Sequence, residues 1–403
     1  MTVLALRDLP ARDHAQAPVD GHIAEVTVFA DMAAAEPHWR ALESARVLAT
    51  PYQHYDFLKL WQRHVGAPSG VTPFIVVGFN PFGTPLFLLP LGLRRIAGLR
   101  VAEFLGGKHA NFNMALWRSS VAAALQAQDL AAVLDRLGRD ADLLKLVNQP
   151  LTWNGATNPT ALLPRQRAAN FAFSGGLIPD FDALLRARTN AAGRKKMRKK
   201  ERTLAGYGTV RFERANGCAE VHRVLDAFFK QKSARMRAQG LNDVFADPNV
   251  RRFIEDAATT TLPDGLPLIE LYALSVDDMI VATMGGIVGR GRFCAMFNSI
   301  IGGGRYAVES PGEQLVVQLV KQCCERGLDT FDLGIGSARY KNLFCGDAEP
   351  LFDSYLPLNA AGWVPAQYCR ASAAIKRVIK QRALLWSLVK AARGLRAHLS
   401  PAP

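Results

Sequence analysis

The sequence predicts an α+β protein in which one plan is used twice. Three observations carry that expectation. Each half holds three extended runs joined by short turns rather than by helices. Each of these meanders leads into a helical run and then one more extended run. Finally, 49% of the 403 residues are hydrophobic and 21% are charged. That balance is ordinary for a chain that buries a core and excludes disorder as its main state. The length suits two domains.

The elements follow in order. Residues 1–22 are rich in Ala, Pro and Asp and are expected to be a loose leader. Helical spacing covers Met32–Ser44 and Tyr55–Val65. Extended runs follow at Pro73–Phe79, Leu86–Arg95 and Arg100–Leu105, with turn chemistry at Asn80–Gly83 and Ala97-Gly98. The stretch from Val65 to Leu93 lacks charge, yet Pro68, Pro73, Pro81, Pro85 and Pro90 interrupt it. It therefore reads as strand, turn, strand and not as a membrane span. An Ala/Leu helix over Val121–Leu137 and a strand over Asp142–Asn148 close the first half. The second half repeats the order. Helices are expected over Ala219–Gln239 and Asn249–Thr259, and strands over Leu266–Val276, Ile280–Val288 and Arg292–Ser299. The turns Asp277-Asp278 and Gly289–Gly291 suit hairpins. A helix from Ser310 to Arg326, with Gly327 as its C-cap, leads to a strand at Thr330–Gly334. This order is not β-α-β alternation, and the glycines at Gly302–Arg305 and Gly334–Arg339 have the wrong spacing for a dinucleotide fingerprint.

Charge is concentrated. The net charge is +14. Ala183–Arg202 carries +8, residues 366–403 carry another +8 with no Asp or Glu, and the remainder sums to −2. The first segment has cations on every helical face, with Met197 and Leu204 as its only sizeable apolar anchors. It reads as a solvated helix or as a holder of an anion, and no aromatic stacking motif accompanies it, so nucleic acid is not expected. The second segment, read as a helix, puts Ile375, Ile379, Leu385, Trp386 and Val389 on one broad face with Lys376, Lys380, Arg382, Lys390 and Arg393 around them. It suits either an interfacial helix on anionic lipid or a face packed on the body. The six cysteines form no CxxC pair and the eight histidines no HxxxH spacing. No metal is expected, and a reduced cytosolic compartment fits.

The segment Ser310–Phe344 contains Ser310, Pro311 and Gly312 at a helix start and Gly327 at its end. Phe331, Asp332 and Gly334 follow on the strand, and then Tyr340 and Lys341. It resembles the signature region of the GNAT-type acyl-CoA N-acyltransferases of the CelD/BcsL group, relatives of the FemABX peptidyltransferases. The basic run Thr189–Gly208, Thr50–Trp61 and Leu88–Leu91 fit as well. The resemblance covers roughly residues 25–358. It implies tandem GNAT-like domains at 23–170 and 171–360, the second carrying the basic helix 183–205, followed by a basic amphipathic tail at 361–403. Many relatives carry an Asp-Tyr pair where this chain has Gly106–Met114, which places His109, Asn111 and Asn113 in the implied inter-domain cleft.

That family implies acyl-CoA as co-substrate and an amine as acceptor. A pyrophosphate is favoured at a helix N-terminus, where free N–H groups and the helix dipole meet it. Here the helix start offers Ser310, Gly312 and Gln314, with Arg305 just upstream. Glu309 and Glu313 oppose an anion there. The amine must lose a proton to attack, so His109, Glu309 and Asp332 are candidate bases and Tyr340 a candidate acid to the thiolate. His109 also suits a turn histidine satisfied by backbone. Asp332 is first expected to pair structurally, with Arg339 or Lys341, and Tyr340 equally suits the core. Asn111, Asn113, Asn298 and Lys341 are the expected substrate contacts. The acceptor is expected to be a membrane-surface lipid amine, of the sphingoid type used by bacterial ceramide synthases, or an amino-sugar precursor. The chain is expected in the cytoplasm, peripheral on the inner membrane. The alternative is a non-catalytic accessory of exopolysaccharide or envelope synthesis with a degenerate acyltransferase fold.

Overall fold

The computed structural model describes residues 21–335 and 341–382. In the first half, strand β1 (Glu25–Phe29) precedes helices α1 (Met32–Glu43) and α2 (Tyr55–Trp61). The meander β2 (Thr72–Phe79), β3 (Pro85–Ile96), β4 (Leu99–Phe104) follows, then helix α3 (Ala127–Leu137) and strand β5 (Leu143–Pro150). Strand β6 (Gln166–Gly176) and helices α4 (Phe181–Arg188) and α5 (Ala191–Ala205) lead into the second half. There the order recurs: β7 (Val210–Arg214), α6 (Cys218–Ala238), α7 (Pro248–Thr259), then the meander β8 (Glu270–Val276), β9 (Met279–Gly289), β10 (Arg292–Ile300). Helix α8 (Pro311–Glu325), strands β11 (Thr330–Ile335) and β12 (Asp347–Pro357), and helix α9 (Trp363–Gln381) complete the described chain.

Both meanders form where the turn residues demand them. Ala97 and Gly98 take positive φ between β3 and β4, and Arg290 and Gly291 do so between β9 and β10. Such backbones give the tight hairpins whose twist matches the flanking strands. The long helix expected over Val121–Leu137 is two pieces, Ser119–Ala124 and α3. Gln126 and Asp129 form a reciprocal capping box that starts α3 afresh.

The halves share one sheet, which takes fourteen strands among the described residues. Along its main path the order is β1-β2-β3-β4-β5-β12-β6-β11-β10-β9-β8-β7. In each half the last meander strand runs parallel to the strand after the crossover helix for only three residue pairs. These are Val101–Glu103 with Leu143–Lys145, and Arg292–Cys294 with Thr330–Asp332. Beyond those pairs the strands part, which leaves a gap in each half. The next strands are exchanged. Strand β6 follows β5 in sequence but pairs with β11, while β12 follows β11 but pairs with β5. The two exchanged strands also pair with each other. Gly175 of β6 makes this possible, because a Cβ there would stand 1.8 Å from the Phe344 carbonyl oxygen.

Helix α9 lies on β6 and β12, with Ala366 and Ala373 buried beneath it. Arg370 donates to the Tyr355 carbonyl at 2.8 Å, and Lys380 to Asn170 Oδ1 at 2.7 Å. Its other side leaves Trp363, Val364, Tyr368, Ile375 and Val378 exposed. One face of this helix thus packs on the body while the other is exposed. Leu385, Trp386 and Val389 lie outside the described residues, as does the leader 1–20.

Candidate functional site

The gap between β10 and β11 is built from both halves. Gly334 takes φ 69° just past the last parallel pair, which turns β11 away from β10. The space is entered by Asn111 from the first half. Its Nδ2 donates to the Ala295 carbonyl at 2.8 Å and to Tyr52 Oη at 3.1 Å. Gly334 must be glycine for a second reason, since a Cβ there would meet Asn111 Nδ2 at 2.4 Å. Tyr52 is fully buried, and burial holds its phenol well above the ordinary value.

The start of α8 lies at the end of the connection from β10. Ser310 holds a left-handed backbone, φ 54° and ψ 57°. That conformation costs a non-glycine residue roughly 1–2 kcal/mol. Pro311 follows at the first helical position, and a Cβ on Gly312 would stand 2.8 Å from Ile300 Cγ2. Helix α5 delivers Lys200 to this point. Its Nζ donates to Ser310 Oγ at 2.7 Å and to Glu313 Oε2 at 3.1 Å. The acid that seemed to oppose an anion is thus neutralised by a lysine that composition alone did not single out. Gln314 Nε2 donates back to the Glu309 carbonyl at 3.0 Å. Beside this start lies a cavity of about 480 Å3, lined in part by Arg194, Met197, Arg198, Lys200, Glu313 and Gln314. Arg305 is not among its walls. Its guanidinium stacks over Tyr207 and Tyr306 on the surface and donates to Tyr306 Oη at 2.8 Å.

Asp332 has a different partner from those expected. Arg292, on the neighbouring strand and two residues before the one that Asp332 faces, donates Nε to Asp332 Oδ2 at 3.0 Å. Its Nη2 adds a second bond to that oxygen and one to Glu349 Oε2 at 2.9 Å. Ser174 Oγ donates to the other Glu349 oxygen at 2.6 Å. The Arg292 guanidinium also lies 4.0 Å from the centre of the Trp153 ring. Strands β6, β10, β11 and β12 therefore meet in one buried charge cluster. Burial raises the Asp332 carboxyl to about 6 although Arg292 pulls it down. Asp332 sits at 0% exposure, bound to Arg292 and to the Gly334 N–H.

The gap between β4 and β5 is an open cavity of about 490 Å3. His109 and Asn113 line it together with Arg94, and Asp247 and Val250 of the second half form its far wall. Trp61 Nε1 donates to His109 Nδ1 at 3.0 Å. That bond keeps the ring proton on Nε2, which has no partner. Burial, aided by the Lys108 charge and opposed by Asp247, lowers the ring to about 4. His109 is thus a neutral hydrogen-bond donor near pH 7, with its one lone pair already engaged. This is a donor's geometry and not a base's. The folded chain prefers the neutral ring, so the stability it contributes is in place above pH 6.5 and is lost as the pH falls toward about 4. A proton NMR titration is expected to show the His109 ring moving with a midpoint near 4, and a midpoint at the ordinary 6.5 would refute this account.

The remaining expected residues are scattered. Asn298 lies on β10, and its backbone carbonyl accepts from Lys232 Nζ at 3.1 Å. Lys341 begins a helical turn, Lys341–Phe344, of which only the backbone is described at that residue. Tyr340 lies outside the described residues. Among the described residues no group of three or more His, Cys, Asp or Glu is placed to hold a metal. None of their helices is long and apolar enough to cross a membrane.

Residues 191–342 match the family model of the acetyltransferase (GNAT) domain. Among solved structures the chain is similar to a conserved protein of unknown function from Bacteroides thetaiotaomicron VPI-5482. Identity is 10% and the TM-score 0.50, over 82% of this chain and 99% of that one. It is also similar to FemX, at 11% identity and a TM-score of 0.51, over 82% of this chain and 96% of that one. At those identities the likeness is one of fold. No curated protein matches. The second half therefore carries a GNAT-type domain, within a two-part fold shared with FemX.

Proposed function

We propose that the chain is an N-acyltransferase that moves an acyl group from acyl-CoA to an amine. The observation that carries this reading is Lys200, held over the N-terminus of α8 beside a GNAT-type gap between parallel strands. A pyrophosphate there would meet the Gly312 N–H, the positive end of α8 and the Lys200 ammonium. The thioester would lie along the gap between β10 and β11, with Asn111 and Tyr52 at its floor. The amine nitrogen attacks the thioester carbonyl carbon, the carbon–sulfur bond breaks, and the proton lost by the amine ends on the departing sulfur. Neither His109 nor Asp332 has the geometry of a base, so the proton leaves through solvent or through Glu309. The Ser310–Phe344 motif supports a place in the CelD/BcsL group.

The acceptor is a long-chain lipid amine or an amino-sugar precursor met at an anionic membrane surface by a cytoplasmic, peripheral protein. The exposed stripe of α9, with an aromatic residue at one end and cations beside it, supports this. Flotation with vesicles of anionic lipid is expected to recover the full chain and to fail after truncation at residue 365. Equal recovery of both would remove the membrane from the proposal.

One observation favours the accessory reading, namely that Asn111 already fills the root of the gap. Free thiol released from a panel of acyl-CoAs with long-chain and sugar amines separates the two. Amine-dependent release is expected. No binding of CoA at millimolar concentration by calorimetry would overturn the enzyme.

A further inference from the structure

The two gaps are not equivalent. The one between β10 and β11 receives a side chain, whereas the one between β4 and β5 stays open, and its walls hold three buried polar atoms without partners. These are Arg94 Nε, His109 Nε2 and Asn113 Oδ1. A folded chain rarely leaves such atoms unpaired, because each lost hydrogen bond costs about 1–3 kcal/mol. Three of them in one cavity form a polar surface matched to a ligand able to pair with them. The volume, about 490 Å3, lies within the range of small-molecule sites.

The free atoms specify the ligand. Arg94 Nε and His109 Nε2 are donors, while Asn113 Oδ1 is an acceptor whose own Nδ2 is spent on the Val147 carbonyl at 3.1 Å. Lys108 adds a cation to the wall, and Lys145 there is paired with Glu103 at 3.0 Å. We propose that this cavity is a ligand site for a small molecule carrying an oxyanion, phosphate or carboxylate, beside an amine or hydroxyl donor. The oxyanion faces Arg94 and His109, and the donor faces Asn113. One loop serves both gaps, since His109 and Asn113 face this cavity while Asn111, between them, enters the other. Occupancy of the first gap is thereby tied to the floor of the second. The site itself does not depend on acyl transfer; its use as the seat of the acceptor's polar head rests on that reading.

Calorimetry on the full chain with O-phosphoethanolamine, β-alanine and inorganic phosphate tests it. One of the two amine-bearing probes is expected to bind at least about tenfold more tightly than inorganic phosphate, and which one tells phosphate from carboxylate. Arg94→Met and Asn113→Leu are each expected to weaken that binding by about tenfold or more. Arg94→Met removes an unpaired buried donor, so its ligand-free melting temperature holds or rises. That combination would not arise if Arg94 were structural, and it stands even if Asn113→Leu folds poorly. Lys200→Glu is expected to leave probe binding in place while CoA binding falls. A chain that binds the probe but no CoA keeps this site and loses the acyltransferase. Failure of all probes to bind, or binding untouched by Arg94→Met, overturns the site.

Discussion

Replacing Arg292 with leucine is expected to lower stability by about 3–5 kcal/mol, the cost of stranding a buried carboxylate. Asp332 would remain at 0% exposure with its two guanidinium bonds gone, and Glu349 would keep Ser174 but lose its cation. Asp332→Asn is expected to cost less, because Arg292 keeps its bond to Glu349 at 2.9 Å. The loss has a signature in pH. In the folded chain Asp332 titrates at about 6 against an ordinary 3.8, so the folded state holds that proton more tightly. The stability tied to the proton is full below pH 3.8 and is lost as the pH rises through about 6. Without Arg292 the carboxyl climbs further. The gap between wild type and variant should therefore be small in acid and widen as the pH rises. Urea unfolding at several pH values measures it, and a pH-independent loss would show that Asp332 is not what the arginine holds.

Lys200→Glu is expected to weaken CoA binding by about 10- to 150-fold, corresponding to the roughly 1.5–3 kcal/mol of a hydrogen bond to a charged group. The variant sets a third acid beside Glu309 and Glu313 at the start of α8. The effect should shrink as salt is added, because the site is open to solvent. Lys195→Glu makes the same charge change on the exposed side of α5 and is the control. If both variants weaken CoA equally, the basic helix acts through its general field and Lys200 holds no phosphate.

What the sequence revealed and what it hid divide by distance along the chain. The meanders were legible because their signals are local: turn residues with positive φ between runs of strand formers. The start of α8 was legible for the same reason, through Ser310-Pro311-Gly312. Strands β1, β6, β7 and β12 were not anticipated. They lie at sheet edges or at the exchange, and nothing within β6 says that its partners are β11 and β12. The partner of Asp332 was sought among its neighbours, Arg339 and Lys341, but it stands forty residues upstream because parallel pairing brings β10 alongside. His109 read as a base until Trp61, forty-eight residues away, took its lone pair. Lys200 was one of nine cations in its segment, and only the docking of α5 on α8 distinguishes it.

The exchange of β6 and β12 sets an order of events at the ribosome. Strand β5 gains its second neighbour only when residues 347–357 have been made. Until then the first half presents an unpaired edge of apolar strand, the sort of surface that invites wrong partners. Most of the 403 residues must emerge before the N-terminal half can finish its sheet. The chain is thus committed to late, long-range closure, which is slow by topology. A gene cut between the halves would yield two pieces that each lack a strand the other owns.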